Sequence, residues 1–455
     1  MAVRVGAARA AFDPKAFAAF RFVGRDIGED GLVTLRYALD DEIEFVERFE
    51  LPAGTAVPAH ARARVEGLLA LLHWVAGVSY FKTAMPAAVR CETGTPPPAT
   101  AALLEALYSE GLGELAYTNR LPSLPRPAFP AQPGDPRPRP RPAAAQRVLV
   151  PIGGGKDSAV ALEIVRRAAE DMALFSVGDA PPIARTAEVA GLPRLIVRRR
   201  LDPGLAALNR RGALNGHVPI TAIVSCVALL TAALHGFDTV AMANERSASS
   251  GNVTWDGIEV NHQFSKSLRA ERLLRAAVGE ATQDVEILSV LRPASELAIA
   301  RAFARMERYH PAFTSCNTVF RLDPELRGTS WCCDCPKCRF VFLVLAPFSA
   351  PEHLRAVFGR DLLDDDEQFA GFALLTATGG HKPFECVGEE RESIAAIRLL
   401  AADPRWSGHR VVRRLVAEVL PSAPDAGDPT AALALGDDHD VPPALLSAVR
   451  EILGA

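Results

Sequence analysis

Between Arg147 and Asn244, short apolar runs alternate with runs of helical length, and no other feature constrains the fold so strongly. "RVLVPI" precedes a helical pattern from Ser158, "LFSVG" a helix running to Gly191, and "RLIVRR" a long helix from about Thr221; "TVAMAN" closes the series. Strands separated in this way pair in parallel, because each return to the sheet needs a crossover. Ligands of such sheets gather at the carboxyl ends of the strands. The first strand ends in Gly153-Gly154-Gly155, followed by Lys156-Asp157-Ser158 and a helix with Val160, Ile164 and Val165 on one side. Glycines there let backbone N–H groups approach an anion closely, and the helix N-terminus adds a favourable dipole. A phosphate-bearing ligand is the first expectation.

The 455 residues suggest about three domains, or two with elaborations. A net charge of −4 provides no general basic field, which speaks against a nucleic-acid partner and favours a small substrate. Arginines interrupt the apolar residues of "MAVRVGAARAAFDPKAF", so no signal-peptide core is expected there. The stretch "VPITAIVSCVALLTAALHGF" comes nearest to a membrane span but reads as a buried helix. No membrane partner and a cytoplasmic location follow. The eight cysteines then point to metal ligands, small buried residues or reactive thiols rather than disulfides.

From Phe20 to Leu51 the residues alternate around turns at Gly28 to Gly31 and Asp40-Asp41, as in a short antiparallel sheet. Helical patterns follow, one carrying Val65, Leu68, Leu69 and Leu72 and one from about Ala99 to Tyr108. The expected organisation is an α+β N-terminal domain (1–120), a Pro/Arg-rich linker (121–146), an α/β core with a parallel sheet (147–361) and a helical C-terminal region (362–455). The "DDHD" at 437 to 440 reads as a solvated loop.

"GGGKDS" fits neither the Walker loop nor the dinucleotide fingerprint. It resembles the S-G-G-x-D-S loop of the ATP pyrophosphatase (PP-loop) superfamily, with Gly154, Gly155, Asp157 and Ser158 at matching positions and Gly153 in place of the first serine. The resemblance implies a Rossmann-like core that cleaves ATP between its α- and β-phosphates. Gly153, Gly154, Gly155, Lys156, Asp157 and Ser158 would hold the nucleotide, and Asp157 would help hold Mg²⁺.

Cys332, Cys335 and Cys338 are spaced C-x2-C-x2-C, and with Cys316 they offer four soft ligands for a closed, structural Zn²⁺ site. The spacing resembles the zinc-binding cysteines of deazaguanine nitrile synthases, also PP-loop enzymes. Cys333, Cys91 and Cys226 read as small buried residues.

Polar groups also concentrate in "NGHVPITAIVS", "MANERSAS", "EVNHQFSKS", "RPASELAIAR" and "GHKPFECVGE". Together with "GGGKDS" and "WCCDCPKCRF", these stretches resemble the MurL-type ATP-dependent epimerases of UDP-N-acetylmuramoyl-L-alanyl-L-glutamate, over most of residues 15 to 395. The resemblance implies that ATP converts the terminal L-Glu carboxylate to an acyl-adenylate, whose α-proton can be removed and returned on the other face. Hydrolysis would then release D-Glu product, AMP and diphosphate in peptidoglycan biosynthesis. Asn244, Glu245 and Arg246, after a predicted strand, are further ATP-site candidates, while ordinary capping is the bland alternative. His381 and Cys386 lead the candidates for the epimerising base, with His217 and His262 next. Lys156 reads as a phosphate contact and catalytic candidate, and Lys266 as a phosphate contact or a solvated lysine. The rival readings are a PP-loop enzyme acting on a tRNA base or deazaguanine precursor, and a zinc-bearing nucleotide sensor.

Overall fold

The computed structural model describes residues 11–134, 145–321, 324–378 and 380–454. The expectation about a leader falls largely on residues 1–10, outside that range, as does residues 135–144 of the expected linker. Strands β1 (Ala19–Ile27), β2 (Leu32–Leu39), β3 (Ile43–Glu50) and β4 (Ala88–Cys91) come first. After them come β5 (Arg147–Pro151), β6 (Asp171–Val177), β7 (Arg194–Arg200), β8 (Thr239–Met242), β9 (Val253–Trp255), β10 (Ile258–Val260) and β11 (Glu286–Ser289).

Nine of these form one mostly parallel sheet in the order β11-β8-β5-β6-β7-β3-β2-β1-β4, and β9 and β10 form a separate hairpin. Within β11-β8-β5-β6-β7 all neighbours are parallel, and the chain order reverses between β5 and β8. That reversal is the switch point at which open α/β sheets bind ligands. The glycine loop leaves β5 and Asn244 follows β8, so both stand at it.

The N-terminal strands do not close on themselves. β3 pairs antiparallel with β7, Arg48 to Glu50 facing Arg200 to Arg198, and this extends the parallel sheet. Arg199 reaches fully buried Glu47 and Arg200 reaches Glu50, each at 2.5 Å, so opposite charges cross this seam.

Alternation along β5 explains how the sheet is covered. Val148 and Val150 face a core shared with the helices Lys156–Ala168, Glu296–Ala304, Pro336–Leu345 and Pro443–Leu453. Leu149 faces the opposite core, with the helices Ala59–Ala76, Pro98–Tyr108, Ile220–His235 and Leu268–Ala281. The helices of the N-terminal region thus join one face of the sheet and that of the C-terminal region the other, each beside helices of the central region. The apolar 220–235 segment is such a covering helix, stopped by Gly236 in the left-handed conformation (φ 74°). Among the described residues no helix is long and apolar enough to cross a membrane.

Leu124 and Phe129, within the proline-rich stretch, are buried; the Phe129 ring lies 4.9 Å from that of Tyr108, and Ala128 bridges Ala88. This part of the stretch is therefore anchored to the N-terminal core. In the "DDHD" loop, Asp438 and Asp440 pair with Arg272 at 2.7 and 3.1 Å.

Candidate active site

The three glycines serve different purposes. Gly154 has φ +79°, and a Cβ there would lie 2.7 Å from the Pro182 carbonyl carbon and 2.9 Å from the Ile183 nitrogen. Its lack of a side chain lets the loop pack against the helix Pro181–Ala190. A Cβ on Gly155 would touch Ser315 at 3.4 Å, whereas one on Gly153 would meet nothing within 4 Å. Gly153 is therefore the glycine that opens space for a ligand. The Ser158 hydroxyl donates to the Gly155 carbonyl at 3.0 Å and accepts from the Gly153 N–H at 3.4 Å, which shapes the loop from within. The Gly154 carbonyl accepts from Thr314 N–H at 3.0 Å.

Beside this loop lies a buried charge cluster. The Lys156 ammonium, 1% exposed, pairs with both Asp157 and Glu296. Burial alone would lower its pKa, but the two carboxylates reverse the effect and keep it charged. The other Glu296 oxygen lies 3.9 Å from the Lys337 ammonium, which donates in turn to the Cys386 carbonyl. Glu296 opens its helix after the Ser295 cap, and its N–H donates to Glu392 at 2.9 Å. Asp157 sits in the first helical turn rather than on an exposed loop tip; its side chain is 28% exposed.

Asn244 and Glu245 join the cluster from the end of β8. Asn244 donates to the Ser289 hydroxyl at 3.0 Å, and fully buried Arg292 holds the Glu245 carbonyl at 2.6 Å and the Lys266 carbonyl at 2.7 Å. Burial pushes the Glu245 carboxyl up while the Lys266 charge pulls it down. Arg246 turns away and donates to the Ala434 carbonyl at 3.2 Å. The site thus has an open backbone cradle, three lysines for phosphate oxygens and the hard oxygens of Asp157, Glu245 and Glu296 for a divalent cation. ATP and Mg²⁺ fit this donor set.

A second group adjoins it. Cys386 lies in the loop before the helix Glu390–Ala402, its sulfur 3.6 Å from the Lys266 ammonium and beside the His262 imidazole. Burial would raise this thiol, but Lys266, His262 and Lys337 outweigh it and bring the pKa down to about 6. Burial would lower His262, yet Cys386 and Glu114 carry it up to about 9. The His217 ring lies 4.2 Å from that of His262; burial first, then the His262 and Lys266 charges, push it down to about 3. His381 is not in this group. It is exposed, with its ring 6.4 Å from that of Tyr117 and 5.4 Å from that of Phe384.

The ligand atoms of Cys316, Cys332, Cys335 and Cys338 lie within 4.8 Å of one another, an arrangement suited to a tetrahedral metal ion and consistent with structural zinc. Cys335 caps the helix Pro336–Leu345, its sulfur accepting from the Cys338 N–H at 3.4 Å. Lys337 lies between these two ligands, so the cluster also sets the position of a site lysine. Cys333 takes φ +60° and turns its thiol to the Phe358 carbonyl at 3.2 Å, away from the other four.

Sequence reasoning singled out neither Glu114, Glu296 nor Lys337. Acidic residues in a first helical turn are ordinary dipole partners, and a lysine between two cysteines carries no signal of its own. The one available hint for Glu296 is its place in the polar stretch "RPASELAIAR".

Known proteins are similar to this chain along most of its length. The MurL N-terminal domain profile matches residues 11–289 and the MurL C-terminal domain profile residues 312–429. Proteins named UDP-N-acetyl-alpha-D-muramoyl-L-alanyl-L-glutamate epimerase are similar over most of their length. That of Micromonospora sp. is 45% identical, covering 91% of this chain and 94% of the relative. That of Xanthomonas oryzae pv. oryzae is 42% identical, covering 97% and 98%, and that of Salinispora tropica 46%, covering 85% and 85%. The first profile spans the glycine loop and most of the lysine–carboxylate cluster, the second spans the cysteines and Cys386, and with relatives this similar the chain belongs to the MurL family.

Proposed function

We propose that this protein inverts the terminal L-glutamate of UDP-N-acetylmuramoyl-L-alanyl-L-glutamate to D-glutamate, using ATP to activate the carboxylate and releasing AMP and diphosphate. The observation that carries this reading is the bridge from Lys156 through Glu296 to Lys337 and the Cys386 carbonyl, which couples the glycine loop to the low-pKa thiol. A loop for activation and a group for proton transfer stand side by side.

The chemistry needs both. An α-proton beside a free carboxylate is hard to remove because the resulting carbanion adjoins negative charge. Bound ATP, with Mg²⁺, supplies the adenylyl group that makes the carboxyl ester-like and its α-position acidic. Gly153 to Gly155 and the N-terminus of the Lys156–Ala168 helix receive the phosphates, Lys156 neutralises their charge, and Asp157 with Glu245 and Glu296 supplies cation ligands. Lys266 and Lys337 stand between this region and Cys386, where they favour negative charge on the reacting carboxyl group. Of the four base candidates, Cys386 beside Lys266 and His262 beside Glu114 are the ones held for proton transfer, His217 stays neutral beside them, and exposed His381 lies apart.

Zinc in the Cys316, Cys332, Cys335 and Cys338 cluster has a structural role, fixing the Pro336–Leu345 helix and thereby Lys337. The domain pattern of 1–120, 147–361 and 362–455 means that Glu114, the ATP loop and Cys386 come from three regions meeting at one site. A reduced thiol cluster and a nucleotide-linked precursor suit the cytoplasm. Incubation with ATP, Mg²⁺ and the L-Ala-L-Glu nucleotide, followed by resolution of glutamate stereoisomers, tests the proposal: D-glutamate with AMP supports it, and AMP-free or stereochemically unchanged mixtures overturn it.

A further inference from the structure

Three segments far apart in sequence meet at one buried group of side chains. Glu114 stands in the first turn of the helix Gly113–Thr118, His262 follows β10, and Cys386 precedes the helix Glu390–Ala402. Glu114 and His262 have side chains only 15% and 13% exposed, and the carboxylate accepts from His262 Nδ1. The His262 imidazole stands beside the Cys386 sulfur, close enough to favour its thiolate, and the Lys266 ammonium lies 3.6 Å from that sulfur. A carboxylate thus backs the imidazole and an ammonium flanks the thiol.

Resting on the epimerase reading above, we propose that Cys386 and His262 are a paired base and acid acting on opposite faces of the glutamate α-carbon. Glu114 positions His262, and proton transfer from sulfur to the neighbouring imidazole resets the pair after turnover.

Inversion in either direction needs one group without a proton and another with one. Glu114 favours the imidazolium and Lys266 the thiolate, so the resting pair meets that requirement. The Cys386 pKa of about 6 and the His262 pKa of about 9 bracket the range in which both hold. Lys337 and Glu385 also face the pair, one favouring the thiolate and the other the imidazolium. His217, pushed down to about 3, lies with its ring tilted 39° against that of His262 without competing for the proton.

In the reaction the α C–H bond breaks, its proton passes to the Cys386 sulfur, and the electron pair moves onto the activated carboxyl oxygen. An N–H bond of His262 then breaks and its proton forms the new C–H bond on the opposite face. Neutral thiol and neutral imidazole remain. When the substrate carbon no longer lies between them, the proton passes from sulfur to nitrogen and the thiolate–imidazolium pair is restored. Between turnovers the S–H and N–H hydrogens exchange with solvent, so in deuterated water His262 delivers deuterium to the α-carbon.

The test uses the full-length protein and a readout that needs no turnover. The ultraviolet thiolate absorbance of the wild type minus that of Cys386→Ser is followed against pH, with Glu114→Gln and Glu114→Asp alongside. A transition near 6 is expected for the wild type, moved upward in Glu114→Gln and largely restored in Glu114→Asp. With ATP and the L-Ala-L-Glu nucleotide, Glu114→Gln should lose solvent-deuterium incorporation about a hundredfold more than AMP formation, the scale of general acid–base catalysis. The alkaline limb of its pH profile should move down. A thiolate transition and exchange rate unchanged in Glu114→Gln would overturn the proposal. So would an acyl adduct on Cys386 detected by intact-protein mass, because the thiol would then be a nucleophile. If the wild type yields no D-glutamate, the epimerase reading fails by itself, and the absorbance titration still decides the pairing.

Discussion

Gly153→Ala and Gly154→Ala should fail in different ways. A methyl at Gly154 would lie 2.7 and 2.9 Å from backbone atoms of Pro182 and Ile183, which cannot swing aside as a side chain could. The left-handed φ of +79° adds about 1–2 kcal/mol for alanine, and overpacking typically costs about 1–3 kcal/mol. The sum, about 2–5 kcal/mol, is a large share of the stability of an ordinary domain. At Gly153 an added methyl has no neighbour within 4 Å, so stability should change by no more than about 0.5 kcal/mol. That methyl would occupy the space a phosphate needs. Loss of one charge-assisted hydrogen bond, about 1.5–3 kcal/mol, corresponds to roughly tenfold or more weaker ATP binding. Chemical denaturation measures the first effect, and calorimetric titration with ATP and Mg²⁺ measures the second. A stable Gly153→Ala variant that binds ATP like the wild type would refute the cradle, and a Gly154→Ala variant as stable as the wild type would refute the packing argument.

Further outcomes follow from the same geometry. The inversion step should hold a plateau between about 6, below which Cys386 is protonated, and about 9, above which His262 loses its proton; a rate still rising beyond 9 contradicts the pairing. Purified protein should carry about one zinc per chain, and Cys335→Ser should lose it together with stability and with AMP formation, since Lys337 is displaced. Unchanged stability and no zinc in protein prepared without chelator would return the cysteines to packing. Glu296→Ala removes the anion between Lys156 and Lys337 and should cost about 3–5 kcal/mol and most AMP formation, whereas wild-type stability would show that the bridge is dispensable.

Much of this was legible in the chain. Strand-to-helix alternation marks β5 to β8 and their helices, and the glycine triplet marks the switch point, because local period and backbone freedom are written in neighbouring residues. The cysteine spacing is local in the same sense. The continuation of the sheet through β3 and β7 is not, although the acidic Glu47 and Glu50 and the run Arg198 to Arg200 held the complementary charges that cross the seam. Glu114, Glu296 and Lys337 acquire their roles from contacts between residues 41 to 148 positions apart, and nothing local distinguishes them. Histidine type alone could not separate His262 from His381 either. What separates them is burial beside Cys386 and Glu114 for one and solvent exposure for the other.

The proposed reaction requires activation to be coupled to proton transfer. It is tested most directly by incubating the protein with UDP-N-acetylmuramoyl-L-alanyl-L-glutamate in deuterated water, with and without ATP and Mg²⁺, and reading both deuterium at the glutamate α-carbon and the configuration there. The prediction is deuterium and D-glutamate only when ATP and Mg²⁺ are present, with AMP formed alongside. Deuterium entering the α-position without ATP would contradict it.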